Sequence, residues 1–167
     1  VNHTPGKTAG FIMMISSVAV IFAAVGAGHL STFIGRKKTF LLMGAARLVL
    51  LPWIALALPG ATDTTALALY VILFSMLGSA GYAPLLIFLN ERFPTAIRAT
   101  GTGLSWNIGF AIGGILPTFV SLASPTSADV PMTLALFLGA ISVIFLIGAL
   151  VVPETLGNLD EPAKNAA

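Results

Sequence analysis

Five long apolar stretches dominate the sequence and restrict its fold more than any other feature. A helix needs roughly 20 apolar residues to cross the hydrocarbon core of a bilayer, which is about 30 Å thick. Five stretches meet this length: about Ala9–Leu30, Thr39–Leu58, Thr65–Leu89, Thr100–Leu122 and Pro131–Val152.

The composition identifies the solvent of these stretches as lipid. The chain is 57% hydrophobic and 8% charged, with a mean hydropathy of +0.99, whereas about a quarter of an average soluble domain is charged. Lipid requires the backbone groups of each spanning segment to be satisfied internally, which favours helices, and short segments of alternating polarity, typical of a barrel, do not occur. We therefore predict an all-α membrane protein whose helical bundle covers residues 1–152.

The basic residues of the connections alternate from one loop to the next. The first loop contains Arg36, Lys37 and Lys38, the third contains Arg92 and Arg98, and the second and fourth contain none. Because basic loops stay in the cytoplasm, we expect the first and third loops inside the cell, in a bacterial inner membrane.

This orientation places the N-terminal end outside and the C-terminal tail, residues 153–167, in the cytoplasm. The polar tail is typical of a disordered end. The opening VNHTPGKTAG has no export signal pattern, so we expect the chain to begin partway through a longer protein with further helices upstream.

Three charged patches should meet on the cytoplasmic side: GHLSTFIGRKK (28–38), NERFPTAIR (90–98) and VPETLG (152–157). Arg36 and Arg98 are candidates to pair there with Glu91 and Glu154. An exposed ion pair contributes below about 1 kcal/mol, but forked arginine–carboxylate contacts are stronger. The patches either latch the helix ends in one conformation or only fix the topology.

Polar residues inside the third span mark a candidate cavity. Ser75, Ser79 and Tyr82 follow the i, i+4, i+7 spacing of one helix face. Pro84, in GSAGYAP (78–84), removes a backbone donor and kinks the helix. The kink serves either packing or a flexible gate beside a polar cavity.

The fourth span has two distinct faces. Gly101, Ser105, Gly109 and Gly113 recur every four residues, a spacing that predicts a close helix–helix seam. A second face carries Thr100, Asn107, Gly114 and Thr118. Asn107 is either an interhelical tie or a cavity-lining group, and Thr118 is a further lining candidate.

Arg47 is the one charged residue well inside a predicted span. It lies roughly 12 Å beyond Thr39 along a helix, so its long side chain can snorkel back to the cytoplasmic interface. A functional role is the alternative, because intramembrane charge commonly marks a site.

An enzyme is not expected. His3 and His29 lie near opposite faces of the membrane, no carboxylate lies within a span, and neither HExxH nor GxSxG occurs. Cysteine is absent, the basic residues are too few and scattered for nucleic acid, and we expect no metal or cofactor. A non-transporting membrane sensor or subunit remains an alternative class.

The charged patches resemble those of the major facilitator superfamily, C-terminal half. The first is similar to the loop motif Gly-x-x-x-Asp-Arg-x-Gly-Arg-Arg/Lys, although Thr32 and Phe33 replace its acid and first base. The matching residues are Gly28, Gly35, Arg36 and Lys37.

The other two patches strengthen the resemblance. ERFPTAIRATG (91–101) is similar to Glu-x-Phe-Pro-x-x-x-Arg-x-x-Gly between helices ten and eleven of that family, and PETLG (153–157) to its Pro-Glu-Thr/Ser signature after helix twelve. The combination looks most like the metabolite:proton symporter and sugar-porter branches.

The resemblance implies helices 8–12 of a twelve-helix fold. It also implies a secondary active transporter that moves a small polar metabolite by alternating access, with a proton as coupling ion. Its partners would be the lipid bilayer and the missing N-terminal half. The gating residues would be Arg36, Glu91, Arg98 and Glu154.

Overall fold

The structure, a computed structural model, describes residues 5–157 and is helical throughout, with no strand in that range. The helices are α1 (Gly6–Ile34), α2 (Arg36–Ala57), α3 (Thr64–Ser79), α4 (Tyr82–Arg92), α5 (Arg98–Leu122) and α6 (Val130–Val151), with a 3₁₀ turn at Leu58–Gly60. Together α3 and α4 form one span, so residues 5–157 contain five helical spans that are long and apolar enough to cross a membrane. The all-α membrane fold predicted from the sequence is confirmed.

Two of the connections between helices depend on local chemistry. Gly35 alone separates α1 from α2, and its φ of +95° is a conformation that other residues rarely adopt. Asp63 precedes α3, and its carboxylate accepts hydrogen bonds from the backbone N–H groups of Thr65 at 3.1 Å and Ala66 at 3.3 Å. This side-chain cap satisfies donors that a helix start otherwise leaves open.

The helices pack in two groups that meet where α2 contacts α1, α3 and α4. α2 and α6 form the most extensive pair, and α1 packs against α3 and α4. Phe40 of α2 contacts Phe88 of α4 and Phe145 of α6, edge to face, with ring centroids 5.5 and 6.1 Å apart. This apolar cluster holds the α2–α6 pair against α4.

Helix α5 makes few contacts with the other described helices. The side chain of Leu122 on α5 is 78% exposed and that of Phe22 on α1 is 72% exposed, as expected for helices whose surroundings are apolar. None of the described helices packs on the predicted α5 seam at Gly109 or Gly113, where an added Cβ would meet open space, whereas Gly101 lies against the Phe93 ring.

We predict that Gly44→Ala destabilises the α2–α6 pair. A Cβ at Gly44 would lie 2.6 Å from Cδ2 of Leu146 and 3.0 Å from Cδ1 of Phe145, and overpacking of this kind costs about 1–3 kcal/mol. Thermal unfolding of the purified protein in detergent should show a lower midpoint. Gly139→Ala is the matched control, because its Cβ would lie at an ordinary 3.9 Å from Pro52; equal midpoints for the two variants would contradict the prediction.

Candidate functional site

A buried ion pair joins α2 to α4 at one end of the bundle. The Arg36 guanidinium donates from Nη2 to Glu91 Oε1 at 2.7 Å, and from Nε to Oε2 at 3.0 Å and to Oε1 at 3.2 Å. The two side chains are only 7% and 3% exposed. Of the two carboxylates open to Arg36 from the sequence, the structure selects Glu91.

The rest of the pair's hydrogen-bonding capacity is used by neighbouring hydroxyls. Arg36 Nη1 donates to Ser31 Oγ at 2.8 Å, and Thr155 Oγ1 donates to Glu91 Oε2 at 2.7 Å. Both hydroxyl residues are buried. Between residues 5 and 157, no buried side-chain nitrogen or oxygen lacks a partner, so this burial of charge is compensated by hydrogen bonds.

Glu154 caps the start of α2, and Lys37 caps the end of α6. The Glu154 carboxylate accepts from the backbone N–H groups of Arg36 at 2.8 Å and Lys37 at 3.1 Å, at the start of α2. Lys37 Nζ donates to the carbonyl oxygen of Leu150 at 2.7 Å, in the last turn of α6. An anion at a helix N-terminus and a cation at a C-terminus both complement the helix dipole.

Two opposing effects act on the Glu154 carboxyl. Partial burial is the largest single effect and raises the pKa of this carboxyl group. The hydrogen bonds from the backbone N–H groups of Arg36, Leu156, Lys37 and Thr155 lower the pKa, and their combined effect exceeds that of burial. The net result is a pKa below the ordinary value. The carboxylate is therefore charged at neutral pH and well suited to cap α2.

The start of the tail differs from the disordered end expected from the sequence. Thr155 is 1% exposed and bonded to Glu91, and Glu154 is bonded to α2. These contacts fix residues 153–157 against the bundle, because their polar atoms satisfy helix ends that would otherwise lack partners. Residues 158–167 lie outside the described part of the chain.

The α4–α5 connection folds back on itself. Phe93 is extended after the end of α4, its ring covers Gly101, and its carbonyl accepts from Arg98 Nε at 3.2 Å. Arg98 therefore does not pair with Glu91 or Glu154 in this structure, and that expectation is corrected. Its side chain instead stabilises the turn at the start of α5.

The two serines and the tyrosine predicted to share a face of the third span are divided between two grooves. Ser75 and Ser79 line a groove of about 470 Å³ between α3 and α1, together with Ser16 and Ser17. Tyr82 lies beyond the break between α3 and α4 and faces α5 instead. The shared helix face assumed from the sequence ends at this break.

An aromatic cluster lines the second groove, which has a volume of about 720 Å³ between α4 and α5. The Tyr82 ring lies edge to face against Trp106 at 5.5 Å, and the Phe110 ring lies 5.1 Å from Trp106. Ser105 and three glycines of α5 complete the lining. Trp106 and Phe110 were not among the site residues predicted from the sequence, although their i, i+4 spacing on a glycine-rich helix was an available signal.

Three other polar residues of α5 that the sequence singled out are exposed. Asn107 Nδ2 donates to the carbonyl of Gly103 at 2.8 Å, within its own helix, so it is not an interhelical tie among residues 5–157. Thr100 and Thr118 are also exposed. All three present polar groups on the side of α5 that the described helices leave uncovered.

Arg47 does not snorkel to the interface, which corrects the sequence-based expectation. Its Nε donates to the carbonyl of Leu77 at 2.8 Å and its Nη2 to that of Gly78 at 3.1 Å. The guanidinium also lies over the Phe145 ring, 5.2 Å from its centroid. Backbone acceptors at the end of α3 are within reach, so the charge finds partners without leaving the bundle.

Five apolar spans, a buried charge network at one end and grooves between the helices define the class as a helical membrane protein. A sequence profile of the family described as "Sugar (and other) transporter" matches residues 3–162. The chain belongs to this family, within the major facilitator superfamily.

Two relatives illustrate the similarity. The probable 4-methylmuconolactone transporter of Cupriavidus pinatubonensis is 33% identical over 139 residues, which is 77% of this chain and 29% of the relative. The sialic acid transporter NanX of Escherichia coli is 30% identical over 115 residues, 66% of this chain and 27% of NanX. The chain thus spans under a third of either relative, and no solved structure gives a significant match.

We predict that Thr155→Val loosens the tail from α4. The substitution removes a buried hydrogen bond to a charged acceptor, which contributes about 1.5–3 kcal/mol. Thermal unfolding in detergent should show the loss, and Thr155→Ser, which keeps the hydroxyl, should retain most of the stability. A Thr155→Ser variant as unstable as Thr155→Val would show that the methyl group, not the hydrogen bond, matters.

We also predict that acid weakens the Glu154 cap. Because the folded-state pKa lies below its ordinary value of 4.5, the cap's contribution is fully present above that value and is lost as pH falls through the folded pKa. The stability difference between the native protein and Glu154→Gln should be constant at neutral pH and shrink in acid. A difference unchanged down to about pH 3 would contradict this linkage.

Proposed function

We propose that this chain is part of a secondary active transporter that moves a small polar metabolite, an organic acid, osmolyte or sugar, by alternating access. Membership of the transporter family supports the class. The observation that carries the mechanism is the buried Arg36–Glu91 pair, which together with Thr155 and Glu154 ties α1, α2, α4 and the start of the tail at one end of the bundle.

The charge network has the properties of a latch. A buried pair in good geometry is stable while closed, but leaving one partner buried and unpaired costs about 3–5 kcal/mol. The alternative to the closed state is therefore not a slightly loosened pair but one in which water reaches both charges. Such two-state behaviour suits a gate that either closes or opens one end of a transport path.

The orientation completes the gate. We place the charge network on the cytoplasmic side, because the basic loops around Arg36 and Arg92 lie at that end. The closed network then corresponds to a cytoplasmic gate that is shut while the cavity is open to the outside. Opening it would expose the cavity to the cell interior.

The groove between α4 and α5 is our candidate for part of the solute site. The aromatic faces of Tyr82, Trp106 and Phe110 suit an apolar ring or carbon face, and Ser105 supplies a hydroxyl. Ser75 and Ser79, with Asn107 and Thr118, are proposed as further polar lining groups. The two relatives are named for a lactone and for sialic acid, so small cyclic or acidic metabolites are the first solutes to test.

We propose a proton as the coupling ion. The carboxyl group that binds this proton during transport would lie outside the five spans. The six acidic residues of this chain lie in loops, at helix ends or in the tail. The proton-carrying group would then belong to the N-terminal half that we expect to pair with this bundle. Uptake that responds to a pH gradient in proteoliposomes would support this coupling.

We predict that Glu91→Gln in the complete protein reduces solute uptake about tenfold or more while membrane abundance stays near normal, because the Arg36 guanidinium loses its only carboxylate partner among the described residues. Arg98→Ala should also reduce uptake, but less, since Arg98 stabilises the α4–α5 turn and not the pair. The measurement is initial uptake of sialic acid and 4-methylmuconolactone into proteoliposomes.

Arg92→Ala is the matched control. Arg92 is exposed and adjoins Glu91 in the sequence. Its substitution removes a charge from the same end of the bundle and leaves the Arg36–Glu91 pair intact. Its uptake should remain near that of the native protein. If Glu91→Gln and Arg98→Ala both transport normally, the charged residues serve topology only and the latch is rejected.

A further inference from the structure

The span formed by α3 and α4, Thr64–Arg92, is interrupted near its middle, between Ser79 and Tyr82. The last α3 hydrogen bond runs from the N–H of Ala80 to the carbonyl of Met76, and the first of α4 runs from Leu85 to Gly81. In an unbroken helix the carbonyls of Leu77 and Gly78 would accept from the residues four positions later. In lipid, a backbone carbonyl without a partner costs several kcal/mol.

Arg47 supplies donors to these two carbonyls. The fork of its guanidinium reaches from α2 to Leu77 and Gly78, at 2.8 and 3.1 Å, and its face rests on Phe145 of α6. A planar fork can bond two adjacent acceptors at once, which an ammonium group does less well. The guanidinium also packs closely against Gly81, where an added Cβ would lie 2.7 Å from Arg47 Nη2.

The position of Tyr82 depends on this break. Tyr82 is the first residue of α4, four positions beyond Gly78 and next to Gly81. Its ring contacts Trp106 and Phe110 across the α4–α5 groove. The angle between α3 and α4 therefore sets where the tyrosine ring lies in the groove.

We infer that Arg47 is a positioning residue: by bonding the Leu77 and Gly78 carbonyls it fixes the α3–α4 break and thereby places Tyr82 against Trp106 in the α4–α5 groove. The functional meaning of this placement rests on the proposed function, in which that groove is part of the solute site. Arg47 does not itself contact the solute. It acts through the backbone of the helix break.

Electron paramagnetic resonance can measure the break without any solute. The chain has no cysteine, so in the complete protein, with other cysteines replaced, spin labels can be attached at Leu69→Cys and Arg92→Cys. Both positions are exposed and flank the break, roughly 35 Å apart along a helix. We expect a single narrow distance in the native background, loss of that narrow distance in Arg47→Gln, and partial recovery in Arg47→Lys.

The position of the Tyr82 ring can be measured separately, by the fluorescence of Trp106. With the other tryptophans replaced by phenylalanine, the emission of Trp106 should shift in Arg47→Gln towards that of Tyr82→Ala. Lys38→Gln is the control, because it removes an exposed charge from the same helix and should change neither the distance nor the emission.

A second variant reaches the same contact with Arg47 intact. Gly81→Ala should displace the guanidinium and reproduce the effects of Arg47→Gln, and the two changes combined should add little to either alone. A narrow distance and unshifted emission in Arg47→Gln, or fully additive effects with Gly81→Ala, would overturn the inference. Because these measurements use no solute, they test the role of Arg47 even if the proposed transport function is wrong.

Discussion

This structure depends on one constraint: in an apolar bundle, every backbone polar group and every charged group needs a hydrogen-bond partner. Lipid offers no hydrogen bonds, so each span is helical and each interruption needs a donor or acceptor from elsewhere. Glu154 accepts from a backbone N–H at the start of α2, Lys37 donates to a backbone carbonyl at the end of α6, and Arg47 donates to one at the end of α3. These three charged side chains lie where the ends of helices leave backbone groups without a partner in their own helix.

The Arg36–Glu91 pair applies the same rule to side chains. Taking two charges out of water is costly, and only the fork geometry and the hydroxyls of Ser31 and Thr155 compensate for it. This balance makes the pair sensitive to small changes in the relative position of α2 and α4. We propose that this buried network favours one conformation more than it adds net stability, which is the property that our proposed gate requires.

The helix break connects the two parts of the proposed mechanism. α4 carries Glu91 at one end and Tyr82 at the other, so any movement of α4 about the break would change the charge network and the aromatic groove together. The short length of α4, from Tyr82 to Arg92, favours motion as a rigid unit. Coupling between gate and groove then follows from their shared helix and needs no chain of intermediate contacts.

Much of the fold was predictable because hydropathy acts locally. The apolar stretches predicted the five spans, and the alternation of basic loops predicted that three distant patches would lie at one end, where Arg36 meets Glu91. The family signature was likewise present in ERFPTAIRATG, whose Phe93, Arg98 and Gly101 form one compact turn.

The sequence by itself thus determined the number of spans, their helical state and the gathering of charge at one end, because each depends on the composition of single segments. Only the tertiary structure decided that Arg47 bonds the α3 carbonyls, that Thr155 is buried on Glu91, and that Tyr82 meets Trp106. Those contacts join residues from different helices, and they depend on how the helices rotate and approach each other, which no periodicity within one segment can specify.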